Sequence, residues 1–137
     1  MESYVFDTYA VLGYFLDEPS AETIAGILEL AKNNQIRLYM SWINVGEVYY
    51  IIQRRYDRKI AIELVENIKA WPIELIKVSH EQVIVAGDIK AKYPMSLGDS
   101  YVAALTIQVR GVLLTADKEF QQLENRIIKI KWLRKHR

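Results

Sequence analysis

Four acidic side chains stand apart in this sequence by the company they keep. Asp7 closes the apolar run Tyr4-Val5-Phe6 and is followed by Thr8 and a second apolar run, Tyr9 to Leu16. Glu47 lies among Val45, Val48 and Ile51. Asp99 precedes Val102, Ala103, Leu105 and Thr106, all apolar or small. Asp117 follows the apolar stretch Val112 to Leu114 and the pair Thr115-Ala116. The other acids mostly have charged or polar neighbours, as at Asp17-Glu18 or Glu63 and Glu66. A carboxylate set between buried elements needs a cation or several donors to offset its desolvation. Carboxylates that cluster raise one another's pKa unless a cation lies among them. Oxygen-only ligand sets of this kind suit hard divalent ions, magnesium or manganese.

Each acid also has a purely structural reading. Asp7 and Asp117 are placed to cap the helices that follow them. Asp99 would gain from a helix dipole in a first turn, and Glu47 would sit on the polar side of its helix. The elements that carry them favour the collective reading. Tyr4–Phe6 reads as a short strand covered on both faces, as in a parallel sheet. Val112–Leu114 reads as another. Asp7 and Asp117 therefore fall at the carboxyl ends of strands, where open α/β sheets place their ligands.

The remaining elements alternate. Helices are expected over Tyr9–Leu16, Ala21–Asn33 with Ser20 as N-cap, Trp42–Tyr56, and Arg58–Ala70 with Asp57 as N-cap. Ser79-His80-Glu81-Gln82 has capping-box form and opens a helix to about Tyr93, which Pro94 closes. A further helix starts at Leu97-Gly98-Asp99 and ends at Arg110, with Gly111 as a left-handed cap. Strands are expected at Ile36–Met40, Ile73–Val78 and Arg126–Trp132, with one or two helical turns at Lys118–Leu123. Strands alternating with helices imply an α/β fold with a parallel sheet and right-handed crossovers. No repeat, low-complexity stretch or linker divides residues 1–137, which are read as one domain.

Composition narrows the function. With no cysteine there is no disulfide or thiolate zinc site, which fits a reducing cytoplasm. His80 and His136 form no metal-ligand pattern. No uncharged run approaches membrane-spanning length. A net charge of +1 leaves nucleic-acid binding to local patches. Arg54, Arg55, Arg58 and Lys59 form one such group, read first as a solvated helix end. Lys129, Lys131, Arg134, Lys135 and Arg137 give the end of the chain a basic cast. Tyr9, Tyr14, Tyr49 and Tyr50 are expected in the core or at a subunit contact.

Four segments carry a family resemblance: Val5-Phe6-Asp7-Thr8, Asn44-Val45-Gly46-Glu47, Ser96-Leu97-Gly98-Asp99-Ser100-Tyr101-Val102-Ala103-Ala104, and Leu113-Leu114-Thr115-Ala116-Asp117-Lys118-Glu119-Phe120. In this order and spacing they resemble the PIN-domain ribonucleases, and in length the VapC-type toxins among them. The resemblance implies a PIN-like three-layer fold, a five-stranded parallel sheet with strand one in the middle and helices on both faces. It makes Asp7, Glu47, Asp99 and Asp117 the catalytic, metal-binding acids. Asp7, Glu47 and Asp99 would hold the principal ion, and Asp117 would hold or help hold a second. Thr8 and Thr115 become supporting hydroxyls, and Asn44 a polar neighbour. The activity implied is endoribonuclease cleavage of RNA by a metal-activated water, with Mg2+ or Mn2+ as cofactor. The partners implied are RNA, a small antitoxin and a second copy of the chain in a homodimer. Gly98 and Ser100 carry no expectation.

Two other classes compete. A dehalogenase-like phosphatase needs a second Asp two residues after its nucleophile, where this chain has Tyr9. A receiver domain needs its phosphoacceptor Asp after strand three, where this chain has Val78-Ser79. A Rossmann dinucleotide domain lacks its G-x-G-x-x-G. A catalytically silent RNA-binding or interaction module on the same fold remains the alternative, and the presence of all four acids weighs against it.

Overall fold

The computed structural model describes residues 1–133. Five strands, β1 (Ser3–Phe6), β2 (Arg37–Ser41), β3 (Glu74–Ile76), β4 (Val112–Thr115) and β5 (Lys129–Trp132), form one sheet in the order β3-β2-β1-β4-β5. Every pairing is parallel. Strand β1 is central, as expected. Six α-helices connect the strands: α1 (Thr8–Phe15), α2 (Ala21–Lys32), α3 (Trp42–Arg55), α4 (Arg58–Ala70), α5 (His80–Lys92) and α6 (Leu97–Val109), with a 3-10 helix at Lys118–Leu123.

Alternation along the strands builds two cores, one on each face of the sheet. Phe6, Leu38, Met40 and Leu114 point to the side covered by α1 to α4, where Ile24, Val48, Ile52 and Ile68 are fully buried. Val5 and Leu113 point to the other side, against Ala86, Val102, Leu105 and Phe120 of α5, α6 and the 3-10 helix. Phe15 and Trp71 stack with centroids 5.3 Å apart and close the first core together with Tyr14.

Several boundaries depart from the sequence reading. The expected third strand, Ile73–Val78, is reduced to Glu74–Ile76. Its partner runs out at Ser41, which pairs with Ile76 and then turns to cap α3 by accepting from the Ile43 N–H. The fifth strand begins at Lys129, because Asn125 takes a left-handed φ of 60° and its N–H closes a turn on the Ile128 carbonyl. Ser20 makes no side-chain cap. Asp57 and Ser79 do cap α4 and α5, but Gln82 turns its amide to Gln108 and leaves the capping box half made. The left-handed residue after α6 is Arg110, with φ 52°, not Gly111. Gly111 serves a different need: a Cβ there would lie 2.9 Å from the Ser3 carbonyl oxygen, where the chain enters β4 beside β1. The expected basic end is described only for Lys129 and Lys131; Arg134, Lys135 and Arg137 lie outside the described residues.

Candidate metal centre

Asp7 leaves β1 with extended backbone and becomes the N-cap of α1, its Oδ1 accepting from the Ala10 N–H at 2.7 Å. Its other oxygen accepts from the Thr115 hydroxyl at 2.6 Å, at the end of the neighbouring strand β4. The Thr115 oxygen in turn accepts from the Asp117 N–H at 3.0 Å. Asp117 caps the 3-10 helix through the Glu119 N–H. One chain of hydrogen bonds thus ties the exits of the two central strands together. Two hydrogen bonds to its carboxylate do not offset burial: Asp7 is 2 % exposed. Desolvation pushes its carboxyl up to about 6, against the pull of Thr115 and Ala10 and with help from the charges of Asp117 and Glu47.

Glu47 reaches the same end of the sheet from α3. Its Oε1 accepts from the Thr8 hydroxyl at 2.7 Å and from the Asn44 amide at 2.8 Å. The same amide donates to the Gly98 carbonyl at 3.3 Å, which joins α3 to the first turn of α6. The buried Asn44 Oδ1 has no donor. Gly98 matters through what it lacks: a Cβ at that position would sit 2.7 Å from the Glu47 Cδ. Asp99 follows, its N–H held by the Ser96 cap of α6 at 3.1 Å. Its carboxyl is pushed up to about 8 by burial first, then by the adjoining Glu119 carboxyl and the charges of Asp117 and Asp7.

All four acids singled out in the sequence therefore converge at the carboxyl end of the sheet, and Thr8, Asn44 and Thr115 all bond to them. The tightest grouping was not foreseen. Asp99, Asp117 and Glu119 each offer an oxygen within 4.8 Å of the others. Glu119 was missed because its one signal is a spacing of two from Asp117, which brings the side chains together only when the chain turns at once into a 3-10 helix. Asp7 and Glu47 stand beside this trio with their bonded oxygens turned to Thr115 and Thr8.

The residues fit a divalent cation. Every donor is a carboxylate oxygen, the neighbouring charges help raise the pKa of Asp7 and Asp99, and no ion pair neutralises the cluster among the described residues, where the salt bridge found is Lys69–Glu66. Oxygen-only, like-charged sets are the ligand chemistry of hard ions. Tyr14 and Tyr49 pack against the core as expected, whereas Tyr9 and Tyr50 are exposed.

The profile of the PIN domain matches residues 4–125, and the chain belongs to that family. No curated protein sequence matches it. Among solved structures it is similar to a chain of the VapBC2 complex of Rickettsia felis bound to a promoter DNA fragment, with a TM-score of 0.76 at 15 % identity over 96 % of this chain and 99 % of that one. It is similar to a chain of VapBC-1 from nontypeable Haemophilus influenzae, at a TM-score of 0.69 and 20 % identity over 94 % and 96 %. The Mycobacterium tuberculosis toxin VapC20, described as cleaving the sarcin-ricin loop, gives 0.69 at 13 % over 89 % and 95 %. These likenesses establish a VapC-like fold.

Proposed function

We propose that this protein is a metal-dependent endoribonuclease, the toxin of a toxin–antitoxin pair. The observation that carries the proposal is the convergence of Asp7, Glu47, Asp99 and Asp117, joined by Glu119, at the carboxyl ends of β1 and β4. The family supports a nuclease, and the toxin–antitoxin structures of like fold support an antitoxin partner. The sarcin-ricin loop cleavage named for VapC20 supports RNA as substrate.

In this reading Asp99, Asp117 and Glu119, with Asp7 and Glu47 beside them, hold Mg2+ or Mn2+. When bound, the ion supplies Lewis acidity toward a phosphodiester and brings the pKa of water near neutrality. The chain supplies position. Thr115 and the Ala10 N–H hold Asp7 against rotation. Thr8 and Asn44 hold one Glu47 oxygen and leave the other free to bind. The Asn44–Gly98 bond fixes the distance between α3 and α6, and so between Glu47 and Asp99. Among the described residues no histidine joins the Asp99, Asp117 and Glu119 group, His80 included, and in this reading proton transfer falls to water and the carboxylates. A homodimer in the cytoplasm completes the proposal; no helix among the described residues is long and apolar enough to cross a membrane.

The test is cleavage of single-stranded RNA with and without magnesium, using Asp7→Asn as the control. Cleavage that needs the ion and is lost in the variant supports the proposal. Equal cleavage by both proteins contradicts the role given to the acids, and no cleavage by wild type while Mn2+ binds points to a silent module on this fold.

A further inference from the structure

The face of α3 that carries Glu47 continues away from the acids. Glu47, Tyr50 and Arg54 stand at i, i+3 and i+7 and so share one stripe of the helix. Tyr50 is 47 % exposed. The Arg54 guanidinium lies 5.5 Å from the centroid of its ring. Tyr9, in the first turn of α1, is 58 % exposed. It follows the Asp7 cap by two residues, at the same end of the sheet as the acids. Neither ring is spent on the core, and Arg54 makes no ion pair among the described residues. Beside Arg54 in sequence, the Arg55 guanidinium lies 5.7 Å from the Tyr56 ring.

Aromatic rings beside cations are the means by which proteins hold unpaired strands, because bases stack on the rings while the cations meet phosphates. The order here is informative. Along α3 an acid suited to a metal-held phosphate comes first, then a ring, then a cation, with the exposed Tyr9 ring two residues after Asp7. From Glu47 to Arg54 the helix rises about 10 Å, room for neighbouring nucleotides of one strand. We infer that Tyr9, Tyr50 and Arg54 form a track for single-stranded RNA, in which bases next to the scissile phosphate stack on the two rings and a flanking phosphate meets Arg54. The inference rests on the nuclease reading and adds to it the side chains that hold the strand, since unpaired bases have free faces to stack on rings and bases inside a duplex do not.

The experiment is an anisotropy titration of a labelled single-stranded RNA oligonucleotide with the full chain, calcium replacing magnesium, over a range of salt. Tyr50→Ala and Tyr9→Ala should each weaken binding by about 5- to 100-fold, while Tyr50→Phe and Tyr9→Phe bind as wild type. Arg54→Ala should lower the slope of log K against log salt by about 0.7, one phosphate contact on a single strand, and Arg54→Lys should keep it. Mn2+ affinity should be unchanged in Tyr50→Ala and Arg54→Ala. Wild-type RNA affinity and salt slope in those two variants would overturn the track and leave the stripe as a protein-contact surface. So would a wild type that binds Mn2+ but not the oligonucleotide. Failure of the wild type to bind Mn2+ at all would instead strike the nuclease reading itself.

Discussion

Asp7 caps a helix and also belongs to an acid cluster, two roles that the sequence presents as alternatives. The same holds for Asp117. A cap bond uses one carboxylate oxygen, and in Asp7 the other accepts from Thr115 of the neighbouring strand. This double use leaves charge in a buried place. Above a pH of about 4 the unfolded chain loses protons that the folded chain keeps, up to about 6 at Asp7 and about 8 at Asp99, from ordinary values of 3.8. The folded state binds more protons over that window, so metal-free stability falls as pH rises through it. Thermal melts in chelator should therefore give a lower Tm at pH 8.5 than at pH 5.5. Asp99→Asn should melt at or above wild type at pH 8 and lose the part of the decline between pH 6 and 8. A large drop in Tm for that variant would make the carboxylate a structural group. Gly98 provides a second measurement. Alanine there suits a helix better than glycine by about 0.5–1 kcal/mol, but its Cβ would displace the Glu47 carboxylate. Gly98→Ala should keep its Tm within a few degrees while Mn2+ affinity, read by calorimetry, falls about 10- to 100-fold, as for lost support of a metal ligand. Unchanged affinity would remove Glu47 from the metal site.

The elements were legible where hydrophobic period and caps agreed. The apolar period gave α3 and α4 to within a residue or so of their ends, and Asp57 caps α4 as its position implied. What could not be read was how a neighbour ends an element. Strand β3 stops where Ser41 leaves the ladder, a fact held by β2 and not by residues 73 to 78. Gly111 looked like the left-handed residue because glycine tolerates that conformation best. The structure places Arg110 there and uses Gly111 for the close approach of β4 to the Ser3 carbonyl. A non-glycine residue in the left-handed region costs about 1–2 kcal/mol. Arg110→Gly should accordingly raise Tm by a few degrees, a gain that differential scanning calorimetry resolves. A lowered Tm would mean that the arginine side chain contributes more than its backbone costs. Within the site, the acids at strand ends were readable because topology alone fixes their side of the sheet. Glu119 was not, because its place depends on a single turn of 3-10 helix.

At the scale of the molecule, a central β1 flanked by β2 and β4 brings the loops after β1 and β4 to one edge, and α3 and α6 add Glu47 and Asp99 from opposite faces of the sheet. No one segment holds more than two of the five acids, so the cluster exists only when the whole sheet is formed. A cleft of about 820 Å³ lies at the other end of the strands, lined by Ser3, Arg37, Arg110 and Arg126, and shares no residue with the acids. Exposed rings beside the acids, at Tyr9 and Tyr50, suit a strand laid across the surface better than a small molecule enclosed in a pocket. The most direct measurement of the central claim is end-group analysis of the RNA products, with Mn2+ and in chelator. Attack by water activated at the acid cluster, with the 3′ oxygen leaving, predicts 5′-phosphate and 3′-hydroxyl ends, formed only with the ion and absent in Asp7→Asn. A 2′,3′-cyclic phosphate, formed equally well in chelator, would contradict both the metal mechanism and the roles given to Asp7, Glu47, Asp99, Asp117 and Glu119.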